Sequence, residues 1–369
     1  MYYPMPGGIE RVVQDIAEGL KDETDMEVLT CQVKGRETVE KVHEVRVRRC
    51  ASLGTLFSLP VAPTFLIQFK KKSKEKDIIH LHLPFPLADL ACLLSGYKGK
   101  VVIWWHSDVV RQKKLMLVYK PLMEWLLKRA DAIMVATEGH IEGSSYLKPY
   151  RNKCCVIPFG VKKNVIEDGE RYLQKTADLT SDKSGLADKP FHLLFIGRLV
   201  YYKGCDVLLQ AMAKTKGVIL NIVGDGPLKE DLERQKKELG LQSRVFFLGN
   251  VGDEELRRQL ANCDAFVLPS VAKSEAFGIV QIEAMAYGKP VINTKLPSGV
   301  PYVSLDKETG LTVEPGNADA LADAIQMFAD NPELVKRYGK AAAKRVREEF
   351  QIEKMQRAVL KVYQELTEG

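Results

Sequence analysis

The chain has 369 residues, of which 46% are hydrophobic and 28% charged, and this balance excludes a disordered or fibrous protein. The length predicts two domains of ordinary size. The seven cysteines form no Cys-x-x-Cys pair and no ligand-like spacing with the six histidines, which disfavours a disulfide framework or a zinc site and indicates a cytoplasmic protein. The sequence contains no signal peptide and no apolar run of membrane-spanning length.

Positive charge is concentrated in the first half of the chain. Residues 1–189 contain 30 Lys and Arg against 24 Asp and Glu, whereas the remaining residues contain 24 of each. The densest run extends from Lys70 to Lys76. It predicts either a solvated helix end or a face that meets anionic lipid, which would make the protein peripheral at the inner face of the membrane. Nucleic acid is not an expected partner because no aromatic interleaving or binding module accompanies the charge.

Short β-rich runs alternate with helical patterns in this first half. An amphipathic helix is predicted after Pro6-Gly7-Gly8. The segment from Asn164 to Pro190 is polar without clear periodicity, and we predict an insertion and a linker there. The predicted strands are 28–33, 78–83, 100–105, 132–136 and 154–158, and the predicted helices are 85–95, 113–129 and 138–147.

The alternation then restarts. Strands are predicted at 191–196, 218–223, 244–248, 264–268 and 290–294, and helices at 204–214, 228–239, 253–262, 278–287, 318–329, 332–349 and 352–367. Alternating strands and helices predict parallel sheets covered by helices on both faces, so two such runs predict two doubly wound α/β domains. The closing helices exceed what the second sheet needs, and we expect the last one to reach back to the first domain.

The block from Ser274 to Glu283 carries two carboxylates across a strand-to-helix turn. A helix that begins near Gly278 places Glu275 just outside its N-terminus and Glu283 about one and a half turns inside, roughly 10 Å apart. The free N–H groups between them suit a diphosphate. Glutamates at helix starts also serve simply to complement the helix dipole, so this block alone does not decide the function.

Further candidates follow other predicted strands. Arg198 and Lys203 lie in a loop after a strand, where ligands of parallel sheets bind and where cations can hold phosphate. His106 ends another strand, where a histidine is commonly a hydrogen-bonded structural residue, but we expect this one to face the cleft between the domains, so a functional role stays equally open. The two glycines Gly7-Gly8 precede a helix and allow close approach of phosphate, although they serve equally well in a tight turn.

Three other features are weaker or absent. Asn250-Val251 could flank a nucleotide base. Gly224-Asp225-Gly226-Pro227 is explained by turn chemistry alone. The sequence holds no Asp-x-Asp triplet, so we expect no metal and no other cofactor, with cations and a helix dipole neutralising any diphosphate leaving group instead.

Together these motifs, in this order over nearly the whole chain, resemble the retaining glycosyltransferases of family 4, which have the GT-B architecture. The segment from His106 to Gln112 is also similar to bacterial mannosyltransferases that build surface polysaccharides. The resemblance implies two Rossmann-like domains facing a cleft, namely 1–185 on the acceptor side and 186–350 for the nucleotide-sugar, with a C-terminal helix, 351–369, that packs back on the first.

The resemblance also implies roles for the candidate residues. The residues it assigns to catalysis are Glu275, His106, Arg198 and Lys203, and those it assigns to donor binding are Gly7, Gly8, Arg198, Lys203, Asn250, Val251, Glu275, Phe277, Gly278, Ile279 and Glu283. Glu275 would touch the donor sugar, Glu283 the ribose, and Arg198 and Lys203 the diphosphate. The implied reaction moves a sugar, for example mannose from GDP-mannose, to a glycan or lipid-linked acceptor with retention of configuration.

One departure from the family pattern and several alternatives remain. Family members begin with an apolar strand before the Pro-Gly-Gly loop, whereas this chain begins inside the loop, so the first strand is expected to be missing. A transferase of UDP-glucose or UDP-N-acetylglucosamine fits the same motifs. So do a sugar phosphorylase, a nucleotide-sugar epimerase and a non-catalytic protein that binds nucleotide-sugars.

Overall fold

The computed structural model describes residues 2, 7–56, 59–108, 113–179 and 189–368, which form two compact units. The first unit comprises residues 1–159 and 352–369, and the second comprises residues 160–351. Each unit has its own hydrophobic core.

The first unit begins with the amphipathic helix predicted after the two glycines, and it contains two larger sheets. Strands β1 and β3 pair in parallel, β2 and β3 form an antiparallel hairpin, and β6 to β9 form a four-stranded parallel sheet in chain order. Its elements in chain order are α1 Gly8–Gly19, β1 Glu27–Cys31, β2 Thr38–Val42, β3 Val45–Cys50, β4 Thr55–Leu56, β5 Leu59–Pro60, α2 Pro63–Ser73, β6 Ile78–Leu83, α3 Pro86–Ser95, β7 Lys100–Trp105, α4 Lys113–Arg129, β8 Ala132–Val135, α5 Glu138–Gly143 and β9 Cys154–Val156.

The second unit is a doubly wound domain built on a six-stranded parallel sheet. The strand order is β12-β11-β10-β13-β14-β15, so the chain moves outward from β10 in one direction and then from β13 in the other. Its elements are α6 Lys163–Leu179, β10 Phe191–Ile196, α7 Cys205–Met212, β11 Val218–Val223, α8 Lys229–Glu238, β12 Val245–Gly249, α9 Asp253–Asn262, β13 Ala265–Val267, α10 Ile279–Ala286, β14 Val291–Thr294, α11 Val300–Val303, β15 Gly310–Val313, α12 Ala318–Asp330 and α13 Pro332–Glu349.

The last helix, α14 (Ile352–Glu368), belongs to the first unit. It packs on α1, where Gln356 donates a hydrogen bond to the backbone carbonyl of Asp15 at 2.7 Å. Tyr363 on α14 contacts the four-stranded sheet through a 2.6 Å hydrogen bond between its hydroxyl and Nδ1 of His80. The end of the chain is therefore tied to the first unit by polar contacts to both a helix and a strand.

The predicted insertion at 164–190 is wrong for residues up to 179, because they form helix α6 of the second unit. Gly169 lets α6 cross α10 closely, since a Cβ there would lie 2.1 Å from the backbone oxygen of Ala286. On the next turn, the Tyr172 ring lies 4.5 Å below the Lys289 ammonium. The structure therefore divides the chain after Phe159, before this helix, and not at 185/186. Residues 180–188 of the predicted linker lie outside the described part of the chain.

Strand alternation separates the two faces of the four-stranded sheet. Odd-numbered side chains, among them Leu81, Ile103 and Ile133, join the core under α2, α3 and α4. Even-numbered side chains on the opposite face include His82 and Trp104, whose rings stack with an interplanar angle of 7°. Alternate residues of the same strands thus form the apolar core on one side of the sheet and the histidine-rich face on the other.

Candidate active site

The candidate site of the second unit lies where its strand order reverses. Strands β10 and β13 are parallel neighbours, and the chain leaves them in opposite directions across the sheet. Ligands of doubly wound sheets bind beyond the carboxyl ends of the strands at such a reversal. The loops that follow these two strands carry Arg198, Lys203 and Glu275, so the sheet brings together residues 77 positions apart in the sequence.

The two loops touch through their backbones. The amide of Val271 donates to the carbonyl of Tyr202 at 2.8 Å. Gly204 adopts a left-handed conformation (φ +67°), and a Cβ at this position would lie 2.1 Å from the Pro269 carbonyl oxygen. Only glycine satisfies both demands. Gly204, directly after Lys203, therefore serves the contact between the two loops.

Lys203 and Glu275 form a buried ion pair. The Lys203 ammonium lies 2.5 Å from a carboxylate oxygen of Glu275, and the two side chains are 11% and 10% exposed. Burial opposes the charged form of Lys203, but the adjacent Glu275 carboxylate outweighs it and raises the lysine pKa. Ser270 donates a further hydrogen bond to the same carboxylate oxygen at 3.3 Å. Sequence reasoning placed both residues in the site but missed that they pair with each other.

Helix α10 begins as predicted, directly after Gly278. This glycine is left-handed (φ +74°), and a Cβ there would lie 2.5 Å from a methyl carbon of Leu268. Among the described residues, the amides of Gly278 and Ile279 have no hydrogen-bond acceptor. Glu275 precedes the helix and Glu283 is buried within it, as expected. The open end of α10 thus presents N–H groups and a positive dipole end beside the Lys203–Glu275 pair.

A buried amide network holds this turn, and sequence reasoning missed it. Gln281 donates to the backbone carbonyl of Phe277 at 3.0 Å and accepts from Asn293 at 3.0 Å. Asn293 also donates to Val300 at the start of α11. Phe277 is itself buried, with its ring edge-on to Phe350 at 6.2 Å. Both amides are buried, and a buried amide requires hydrogen-bond partners. The signal in the sequence was the position of Gln281 and Asn293 within otherwise apolar runs.

The other predicted residues of this unit lie at the same edge of the sheet. Arg198 is exposed after β10 and forms no ion pair within the described residues. Asn250 and Val251 follow β12, two strands from β10. The Gly224–Pro227 turn packs on the Arg198 loop, because the Leu199 amide donates to the Asp225 carbonyl at 2.9 Å. The turn prediction is confirmed, and the structure adds that this turn supports the loop that bears Arg198.

His106 lies in the first unit, at the end of β7. Its Nε2 is 2.9 Å from Nδ1 of His82, and its ring stacks on Trp104 and on Phe159. Burial lowers the pKa of His106 to about 3, with His80 and His140 acting in the same direction. His82 on β6 thus contacts His106 directly, and the His80 ring stacks on the His82 ring. Residues 109–112 of the mannosyltransferase-like segment lie outside the described part of the chain.

The glycines at the start of the first unit are exposed. Gly7 precedes α1 and Gly8 begins it. A Cβ on Gly8 would have no atom within 4 Å, so packing inside the protein does not require glycine there. The predicted approach of a phosphate to these glycines stays a prediction.

The described residues contain neither a metal-binding cluster nor a membrane-spanning helix. No group of three His, Cys, Asp or Glu side chains is arranged to hold a metal ion. No helix in the described part of the chain is both long and apolar enough to cross a bilayer.

Comparisons with known proteins agree with this geometry. Residues 6–164 match the model for Glycosyltransferase Family 4, and residues 177–345 match that for glycosyl transferases group 1. O-antigen chain mannosyltransferase C of Escherichia coli is 31% identical over 100% of this chain and 97% of its own length. A D-rhamnosyltransferase of Pseudomonas aeruginosa is 35% identical over 93% of this chain and 88% of its own length.

A third relative and a solved structure extend the likeness. The GDP-mannose-dependent alpha-(1-6)-phosphatidylinositol monomannoside mannosyltransferase of Mycolicibacterium smegmatis is 31% identical over 89% of this chain and 87% of its own length. The sucrose-phosphate synthase structure of Thermosynechococcus elongatus superposes with a TM-score of 0.81, at 25% identity, over 98% of this chain and 94% of its own. The chain is therefore a glycosyltransferase of family 4 with the GT-B fold.

Proposed function

We propose that this glycosyltransferase moves mannose from GDP-mannose to a glycan or lipid-linked acceptor during the synthesis of a cell-surface polysaccharide, with retention of the anomeric configuration. Two of the relatives are mannosyltransferases, and one of these is GDP-mannose-dependent. The observation on which the site assignment rests is the buried Lys203–Glu275 pair beside the open end of α10.

The proposed chemistry uses this arrangement to stabilise a departing diphosphate. The bond between the sugar C1 and the phosphate oxygen breaks, and the acceptor oxygen bonds to C1 on the same face. The departing phosphate oxygen takes the acceptor proton. Arg198 and Lys203 and the amides of α10 then offset the negative charge that develops. No carboxylate nucleophile of the retaining-glycosidase kind is required.

Glu275 has two parts in this proposal. Its carboxylate fixes the Lys203 ammonium at 2.5 Å, so the lysine keeps its charge and its position although it is buried. Lys203 has three N–H donors, of which the pair uses one, so the others can reach a phosphate oxygen. The same carboxylate is proposed to contact the donor sugar, whose ring gains positive charge in the transition state.

A donor screen followed by product analysis tests the function. GDP-mannose should raise the thermal unfolding midpoint more than UDP-glucose or UDP-N-acetylglucosamine, since a ligand at 100 times its dissociation constant adds roughly 2.7 kcal/mol of stability. Release of GDP should need an added acceptor, and proton NMR of the product should show the α-anomer. Stabilisation by GDP-mannose without turnover on any acceptor would identify a binding protein, and a β-linked product would contradict retention.

The rhamnosyltransferase relative supports a second candidate for the sugar. D-rhamnose is mannose without the 6-hydroxyl, and this relative is 35% identical to the chain. A site that binds the 6-hydroxyl rejects the deoxy sugar strongly, whereas an apolar site distinguishes the two only weakly. The ratio of kcat/KM for GDP-mannose and for its 6-deoxy analogue therefore separates the candidates.

We expect turnover without a divalent metal, because the sequence has no Asp-x-Asp triplet and the proposal neutralises the diphosphate with Arg198, Lys203 and α10. The rate should be the same with excess chelator as with magnesium or manganese. Loss of activity in chelator and its recovery with either ion would contradict this account.

A further inference from the structure

Helix α3 of the first unit buries a small-residue face and exposes leucines. Ala88, Ala91 and Cys92 lie in the core, whereas Leu90, Leu93 and Leu94 are 36%, 40% and 56% exposed. These three leucines are spaced by three and four residues, so they form one stripe along the solvent side of the helix. A helix of a soluble protein usually places polar residues on that side.

The neighbouring helices extend this apolar surface. Helix α3 packs against α2 and α4, and all three bury their opposite faces in the same core. On α2, Ile67 is 68% exposed, and on α4, Leu117 and Val118 are each 79% exposed. The three helices therefore share an outer surface, and we call these residues together the leucine face: Ile67, Leu90, Leu93, Leu94, Leu117 and Val118.

Lysines border the leucine face. Lys70, Lys71 and Lys74 are exposed on the same side of α2 as Ile67, at positions three, four and seven residues further along. Within the described residues they form no ion pair. Residues 63–77 contain two acidic side chains, of which Glu75 binds Lys72 at 3.0 Å and Asp77 is exposed, so a single acidic group faces three lysines. On α4, Glu124 lies 3.6 Å from Lys120. The border is therefore a source of uncompensated positive charge.

We propose that the leucine face and its three lysines form a docking surface for an anionic lipid bilayer. Apolar side chains bordered by lysines match the boundary between acyl chains and anionic headgroups, where an apolar face is buried and cations meet phosphate. The surface of a second protein chain would account for the leucines, but it would leave three unpaired lysines to be matched. The proposal is independent of the donor and the reaction.

Vesicle flotation tests the surface without nucleotide or acceptor. Vesicles of phosphatidylcholine with phosphatidylglycerol should bind the protein at 50 mM NaCl, and vesicles of phosphatidylcholine alone should bind it weakly. The triple variant Lys70→Gln, Lys71→Gln, Lys74→Gln should weaken binding on the order of 10- to 100-fold at low salt, and less at 500 mM NaCl. The double variant Leu90→Ser, Leu94→Ser should weaken it about tenfold at both salt concentrations.

The second unit provides matched controls. Lys237, Lys336 and Lys340 are also exposed and form no ion pair within the described residues, so their replacement by Gln changes the net charge by the same amount. Phe246 and Met327 are 41% and 46% exposed, and their replacement by Ser removes comparable apolar surface. Both control variants should bind vesicles like the unaltered protein, and all variants should keep the same circular dichroism spectrum.

Two results would overturn the proposal. Unchanged flotation of both first-unit variants would show that the leucine face does not meet lipid. The other result would come from light scattering without vesicles. If the unaltered protein were a dimer that did not float with vesicles, and the Leu90→Ser, Leu94→Ser variant were a monomer, the leucine face would bind a second copy of the chain. Because no sugar transfer is measured, neither result depends on the proposed function.

Discussion

Lys203 is an unusual cation for a phosphate site, because its charge is paired with the Glu275 carboxylate. A buried ion pair contributes little net stability, but removal of one partner leaves a costly unpaired charge. The pair is therefore better understood as a means of placing an ammonium group inside the protein beside the start of α10. Arg198, which is exposed, needs no such support.

The substitution Glu275→Gln should lower kcat strongly with little change in donor KM, because the carboxylate is proposed to act mainly in the transition state. It should also destabilise the second unit by about 3 kcal/mol, since Lys203 loses its partner. Glu283→Gln should chiefly raise the donor KM and weaken binding of free GDP, because its proposed contact with ribose does not change during the reaction. Steady-state kinetics, nucleotide titration and urea unfolding of both variants provide the measurements.

A double substitution distinguishes the two effects of Glu275. Lys203→Met combined with Glu275→Gln should recover much of the stability lost in the single variant, because no unpaired charge remains, but it should not recover activity. Near-normal kinetics for both single variants would instead mean that the glutamates only complement the helix dipole. Matching kinetic profiles would contradict the division of roles.

His82 is predicted to position His106. Burial lowers the pKa of both rings, so both are neutral near pH 7, and in their 2.9 Å contact only one of the two nitrogens carries the proton. His82→Phe should lower kcat roughly 10- to 100-fold while the affinity for free GDP stays unchanged. Nitrogen-15 NMR of the His106 ring should show a changed tautomer, which a purely structural effect would not produce.

His80 is the matched control for this variant. It stacks on the same tryptophan, Trp104, but its Nδ1 hydrogen bond goes to Tyr363. His80→Phe should therefore preserve both kcat and the His106 tautomer, and His82→Gln should recover part of the rate because an amide can replace the hydrogen bond. Equal losses of kcat for His80→Phe and His82→Phe would mean that the ring stack on Trp104 acts only through the stability of the first unit.

At the scale of elements, a buried polar contact links α3 and α4. The Tyr119 hydroxyl donates to the Asp89 carboxylate, and Asp89 is 0% exposed. Burial raises the pKa of Asp89 to about 7, although the Tyr119 hydrogen bond acts in the opposite direction. The carboxyl group is thus protonated in the folded protein at pH values where the unfolded chain has already lost the proton.

The substitution Asp89→Asn should stabilise the protein above pH 7, on the order of 3 kcal/mol, and have little effect near pH 4. The reason is that Asp89 lowers stability as the pH rises from about 4 to 7, and the uncharged amide removes this dependence. Urea unfolding of the two proteins at several pH values gives the difference between their free energies of unfolding. The contributions of all groups that the two proteins share cancel in this difference. Tyr119→Phe should act in the opposite direction, and a pH-independent difference between the proteins would contradict the pKa assignment.

Regular α/β elements were predictable because their apolar periodicity is strong. The strands β6, β7, β10 and β11 match the sequence prediction at both ends. The β2–β3 hairpin was missed because its turn is His43-Glu44, two residues with positive φ where Asn-Gly is the usual signal. Helix α6 was missed because its interior contains Gly169, a residue that disfavours helix. The close crossing of α6 and α10 explains why glycine stands there.

The same division holds for the candidate site. The start of α10 at Gly278 and the loop positions of Arg198 and Lys203 follow from local sequence, because strand ends and helix starts are local features. The Lys203–Glu275 and His82–His106 contacts join residues 72 and 24 positions apart, and only the pairing of strands determines which loops meet. Sequence patterns predict which residues reach the edge of a sheet but not which of them touch.

At the scale of the whole molecule, the two units should respond differently to acid. The first unit holds two buried histidines, His106 and His140, and two half-buried ones, His80 and His82, and removal from water lowers the pKa of each well below its ordinary value. In the unfolded chain histidines bind protons below about pH 6.5, whereas in the folded unit His80 and His106 have a pKa of about 3 and His140 a pKa of about 4. The first unit should therefore lose stability as the pH falls through this window.

Urea unfolding followed by tryptophan fluorescence measures this effect selectively, because all three tryptophans, Trp104, Trp105 and Trp125, lie in the first unit. Between pH 6.5 and 4.5 the free energy of unfolding should fall by about 1.4 kcal/mol per pH unit for each of these histidines. In the His140→Asn variant, unfolding should take up about one proton fewer, so the free energy of unfolding should depend less steeply on pH. A free energy that does not change over this range would show that the histidines are protonated in the folded unit.

The alternation of His80 and His82 with Ile79, Leu81 and Leu83 also protects the alignment of β6 during folding. A slip of one residue against β7 would turn every side chain of β6 to the other face. Two imidazoles would then enter the apolar core without Tyr363 or His106 as partners, and three aliphatic side chains would face the ring stack. A strand with apolar residues on both sides could tolerate such a shift, whereas this one cannot, so the histidines that line one face also specify how the strand pairs.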